Sequence, residues 1–197
     1  RGQVLMLGGD LAYPVATVRE VTRRLVVPWN RVLEQSGEQE DETPRLLLGV
    51  PGNHDWYDGL DGFARLCQAP CDFETPAPRS QTLYPEPHQF PVLAWAEAFS
   101  RGLAVRKPDA LSLLGYYPIQ RTSYFRLPLT QHVELWGVDR QLREVDARQR
   151  QFFVGSDAET PLVVLPDPAR AWGETRPTGA KALADLGLDP AARRTYV

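Results

Sequence analysis

At 197 residues, 43% of them hydrophobic, the chain is long enough to bury one sizeable core and is expected to form a single domain. A formal net charge of −3, with Lys and Arg scattered along the sequence, excludes the basic field that a nucleic-acid partner would require. No apolar run approaches the length of a membrane span.

The opening residues, Arg1-Gly2-Gln3, lead straight into an apolar stretch rather than a signal peptide, so the expected compartment is cytoplasmic. Attachment of a parent protein to a membrane is left open. Both ends are abrupt, and the expectation is an excerpt of a longer protein, with residues 1–197 forming one partial domain.

Val4-Leu5-Met6-Leu7 is a short apolar run bounded by glycines, which reads as a buried parallel strand. Gly8-Gly9-Asp10-Leu11-Ala12-Tyr13 follows it. Thr17 is suited to cap a helix that reaches about Gln35, with Val18, Val21, Leu25, Val26, Trp29 and Val32 on its apolar face. Pro28 is expected to kink or split that helix. A polar, acidic loop from Ser36 to Thr43 leads to a second buried strand, Arg45 to Val50, and then to Gly52-Asn53-His54-Asp55. These pieces make one strand–helix–strand unit with parallel strands.

Leu60 to Gln68 reads as a short helix. Beyond it, Pro70, Pro76, Pro78, Pro85, Pro87 and Pro91 mark a Pro-rich insertion over about residues 69–105, in which Val92 to Val105 has helical character. Cys67 and Cys71 are the two cysteines, and free thiols are favoured over a disulfide or a zinc site, which would want two more soft ligands nearby. Residues 123–127 and 132–138 alternate like two strands around a short turn. A helix around Asp146 to Phe153, a buried strand from Pro161 to Leu165 and a weakly helical tail from Thr178 complete the pattern.

Two motifs carry chemistry. Asp10 lies just past the end of the first strand, and Asn53 and His54 just past the end of the second. In open α/β sheets ligands bind at that carboxyl edge. Asp, Asn and His are hard or borderline donors suited to Mn, Fe, Zn or Mg. Taken singly, an Asp after two glycines or an Asn-His after Pro-Gly is a turn. The ordered pair after two buried strands is far more specific.

Gly9-Asp10 and Gly52-Asn53-His54-Asp55 resemble two of the serial motifs of the calcineurin-like metallophosphoesterases. The flanks agree: Tyr13 follows Asp10 at +3, and Val50-Pro51 precede Gly52. Val138-Asp139-Arg140-Gln141-Leu142 with Val145-Asp146-Ala147-Arg148-Gln149 is similar to the family's Asp-bearing strand and the helix after it. The run Gly52 through Gly59 is similar to a branch of large, poorly characterised bacterial members. Tyr13 stands where Ser/Thr protein phosphatases carry a second Asp, which argues against that branch.

The resemblance implies a layered α/β sandwich with mixed sheets, truncated at both ends, and hydrolysis of a phosphomonoester or phosphodiester at a dinuclear centre of two divalent metals. Such ions, about 3.5–4 Å apart, clamp phosphoryl oxygens and acidify water. It implies that Asp10 bridges the metals, that Asn53 binds one of them, and that His54 stabilises or protonates the leaving oxygen without binding metal. Tyr13 and Asp55 are expected to support these residues. Asp55 either orients His54 or caps the following helix.

Two metals require on the order of ten ligand positions. The chain has three histidines, of which only His54 is well placed; His88 and His132 read as solvated or packed side chains. An upstream Asp-x-His and a later Gly-His-x-His, both usual in the family, have no match, and a parent protein is expected to supply them. Where the family usually places a His near a Pro, this chain reads Pro166-Asp167-Pro168. Asp167 is a substitute ligand or, more simply, a turn residue. By itself the chain is expected to be inactive. A non-catalytic binding or regulatory module on the same fold is the competing reading. A DNA-processing nuclease is a weaker third, opposed by the lack of a basic groove.

Overall fold

A computed structural model describes residues 3–36, 45–69, 110–140, 144–154, 156, 160–166, 170–171, 174–175 and 177–189. The Pro-rich insertion beyond Ala69, the 92–105 helix, His88, Cys71 and Asp167 lie outside the described residues. The architecture is mixed α/β, and the chain divides into two units, Arg1–Ser123 and Tyr124–Val197.

In the first unit, β1 (Val4–Leu7), β2 (Arg45–Gly49) and β3 (Tyr116–Pro118) form a parallel sheet in that order. Val4 pairs with Leu46 and Leu7 with Gly49, so β1 and β2 end level with each other. β2 is central: Leu47 and Leu48 are buried, as an apolar run between two neighbours should be. Gln120 ends its ladder. The Gln120 side-chain amide accepts from Gly49 N–H at 2.7 Å and donates to Gly49 carbonyl at 3.1 Å, standing in for a further strand residue.

The first helical stretch starts where its capping residue predicts. Thr17 is extended, and its hydroxyl accepts from Glu20 N–H at 3.3 Å. α1 (Val18–Val21) passes through a π-helical turn, Thr22–Val26, into α2 (Val27–Gln35). The discontinuity falls ahead of Pro28, the second residue of α2. Thr22 contributes by donating its hydroxyl to Val18 carbonyl at 2.7 Å, which competes with the regular helix bond.

α3 (Asn53–Trp56) and α4 (Asp61–Cys67) follow β2. Leu60 precedes α4 as its left-handed N-cap rather than opening it. Phe63, Leu66 and Cys67 are buried, and a Cβ on Gly49 would lie 3.1 Å from the Phe63 ring and 2.9 Å from Cys67 Sγ. That close approach packs α4 on β2. Cys67 is a free thiol, and burial pushes its pKa up, which makes it a poor nucleophile.

In the second unit, β4 (Phe125–Pro128) and β5 (Val133–Gly137) form an antiparallel hairpin, and β6 (Thr160–Val164) pairs parallel to β5. α5 (Ala147–Val154) is capped by Asp146, whose Oδ1 accepts from Arg148 N–H at 2.7 Å and Gln149 N–H at 3.1 Å. Buried Gln149 repeats the device of Gln120: it accepts from Asp139 N–H at 3.0 Å and donates to Asp139 carbonyl at 2.5 Å, just past β5. The short pair β7 (Arg170–Ala171) and β8 (Glu174–Thr175) is antiparallel. α6 (Pro177–Asp185) is a regular helix, not the weak one expected from the tail sequence. Ala182 and Leu183, with Leu186 just beyond the helix, join Trp136, Val138, Phe153 and Val163 in one core, and that burial supplies the stability that local propensity does not.

Candidate functional site at the ends of two parallel strands

Because β1 and β2 run parallel and end together, the segments that leave them emerge side by side. Their approach requires glycine twice. A Cβ on Gly9 would stand 2.5 Å from Gly52 N, and the backbone there has φ +99°, a region L side chains rarely adopt. A Cβ on Gly52 would run into the Asp10 carboxylate. Asp10 itself has φ 52°, in the left-handed region that Asp tolerates better than most residues.

Two carboxylates staple the segments. Gly52 is the N-cap of α3 and has no side chain to offer; Asp10 takes over, its Oδ1 accepting from His54 N–H at 3.0 Å. Asp55, the third residue of α3, reaches back to Gly52 N–H at 2.8 Å. The same carboxylate accepts from Asp10 N–H at 2.7 Å and Leu11 N–H at 3.0 Å. Asp55 caps the start of α3, the helix it belongs to, rather than the helix that follows, and reaches across to the neighbouring segment. Burial pushes the Asp55 carboxyl up, the nearby Asp10 carboxylate adds to that push, and the three N–H donors pull against it.

His54 is oriented by a backbone carbonyl. Its Nδ1 lies 2.6 Å from Pro14 O, and Pro14 follows a cis peptide bond from Tyr13. A carbonyl only accepts, so Nδ1 carries the hydrogen and Nε2 is the ring nitrogen left for other partners. Tyr13 packs on one side of the ring, with centroids 4.1 Å apart, and Tyr57 lies 5.1 Å away on a nearly perpendicular plane.

The Tyr13 hydroxyl donates to Asp10 Oδ2 at 2.7 Å, and that anionic acceptor raises the pKa of the phenol. Asn53 is exposed, and its Nδ2 donates to the Tyr57 hydroxyl at 3.1 Å. Tyr57 and the Pro14 carbonyl were not singled out in the sequence. The signal for Tyr57 is its spacing, four residues after Asn53 on a helical segment. His132, in the second unit, is exposed and bonds its neighbour Gln131.

Asp10 and Asn53 are oxygen donors of the kind that hold Mg, Mn or Zn, yet two such side chains do not complete a coordination shell. Among the described residues no group of three or more His, Cys, Asp or Glu side chains is placed to hold a metal ion. Also among them, no helix is long and apolar enough to cross a membrane. No protein-family model, curated protein or solved structure matches this chain.

Proposed function

We propose that this chain carries the central part of the active site of a metal-dependent phosphoesterase, acting on a phosphomonoester or phosphodiester within a metallophosphoesterase-type sandwich. The supporting observation is the convergence of Asp10 with the Gly52–Asp55 segment at the carboxyl ends of two neighbouring parallel strands. Asp10 and Asn53 are the residues that would hold two divalent ions (Mn, Fe, Zn or Mg), with further ligands from outside the described residues. When bound, such ions stabilise charge on phosphoryl oxygens and lower the pKa of water.

The chain's own side chains do the remaining work. His54, held at Nδ1 by Pro14 O, presents Nε2; as an imidazolium it donates a proton to the leaving oxygen. Tyr13 fixes the Asp10 carboxylate, and Tyr57 fixes the rotamer of Asn53. In the full-length protein supplied with Mn, His54→Ala is expected to cut turnover by about a hundredfold or more, the usual range for a general acid, while metal content stays constant. A fall of metal content in step with turnover would make His54 a ligand instead.

One observation favours a second reading. Both Asp10 oxygens already accept protein donors, His54 N–H and the Tyr13 hydroxyl, so the constellation is also a self-contained structural turn. A non-catalytic binding module would keep that turn and show no turnover with any phosphoester.

A further inference from the structure

Tyr13 and Tyr57 are 52% and 41% exposed, yet neither ring is loose. Each is anchored at its far end as well as at its backbone. The Tyr13 hydroxyl is bound to Asp10 at 2.7 Å and the Tyr57 hydroxyl to Asn53 at 3.1 Å. His54 sits between the two, 4.1 Å from Tyr13 with planes tilted by 41° and 5.1 Å from Tyr57 with planes at 77°. Three rings thus form one contiguous corner, with one tyrosine hydroxyl bonded to Asp10 and the other to Asn53. Single exposed aromatics need no explanation, but an immobilised, contiguous set does.

We propose that Tyr13, His54 and Tyr57 form a platform for a flat aromatic leaving group, so that the substrate is an aryl phosphoester. The inference rests on the reading of His54 as the group that faces the leaving oxygen. An oxygen within hydrogen-bonding reach of Nε2 places the atoms attached to it against the rings next to His54. A planar ring stacks on such a corner or meets it edge to face, whereas a saturated alcohol gains only general burial.

The test uses the full-length protein with Mn, comparing wild type, Tyr57→Ala and Tyr57→Phe. The KM values for phenyl phosphate and glycerol 1-phosphate measure the preference during turnover. Calorimetric Kd values for phenylphosphonate and methylphosphonate measure it without hydrolysis. Wild type is expected to favour the phenyl compound of each pair; Tyr57→Ala should lose about tenfold of that preference and Tyr57→Phe should keep it. Phenyl selectivity in binding without any hydrolysis would keep the three rings as an aryl-binding platform but sink the phosphoesterase reading and, with it, the leaving-group role. Turnover with equal affinity for the two phosphonates would do the reverse. Tyr57→Phe behaving like Tyr57→Ala would trace the effect to the Asn53 contact and overturn the platform.

Discussion

Asp55 is fully buried, and its two oxygens serve three backbone N–H groups on two chain segments. An amide in its place keeps one acceptor and turns an N–H toward at least one of those donors. Asp55→Asn is therefore expected to destabilise the protein by about 2 kcal/mol, the typical cost of an unsatisfied buried donor. The pH dependence follows from the raised carboxyl. The folded state holds the Asp55 proton more tightly than the unfolded chain does, so wild-type stability falls as pH climbs out of the ordinary carboxylate range through the raised value. Asp55→Asn lacks that slope. Its deficit should be largest at the acid end of a urea-denaturation series from about pH 4 to 7 and shrink as pH rises. A deficit that grows with pH would mean that the three N–H donors outweigh burial. Asp10, Tyr13, Asn53, His54 and Asp55 were readable in sequence, as were the flanking glycines, whereas Tyr57 and Pro14 were not. The work Asp55 does was not, because its partners Asp10 and Leu11 lie more than 40 positions away and only the parallel register of β1 and β2 brings them near.

At the scale of elements, local signals served well where the relevant contact is itself local. Thr17 caps α1 through a bond three residues long, and Asp146 caps α5 the same way. Thr17→Ala is expected to cost about 1 kcal/mol in chemical denaturation, the usual loss for a hydroxyl cap; a cost near zero would show that the π-helical turn lets the stretch start elsewhere. Pro28 marked a discontinuity in the sequence, but the break is taken up by Thr22–Val26, where widening relieves the ring ahead of it. β3 was missed because three residues carry no periodicity; Tyr116–Pro118 is a strand by virtue of the β2 edge it pairs with. The two buried glutamines belong with it. A Gln that replaces a strand residue, as Gln120 and Gln149 do at Gly49 and Asp139, looks like any polar residue until its partner is known.

Across the whole molecule, burial decides what local propensity leaves undetermined. In the second unit, Phe153 is 1% exposed and lies 4.9 Å from the Trp136 ring, within the core that also holds Val163 and Leu183. Phe153→Ala is expected to cost about 4 kcal/mol through lost burial and the cavity left behind. Hydrogen exchange should register it as lost protection of the β5 and β6 amides; unchanged protection there would refute this core. The amino-acid sequence by itself determined the mixed α/β class, the two parallel strands with a helical stretch between them, and the residues placed at their ends, because strand runs, caps and glycine turns are governed by interactions a few residues long. Only the tertiary structure decided what those residues do to one another. Asp10 caps a helix that is not its own, Pro14 orients His54, and two tyrosines lock against Asp10 and Asn53, because those partners meet only once the chain has folded.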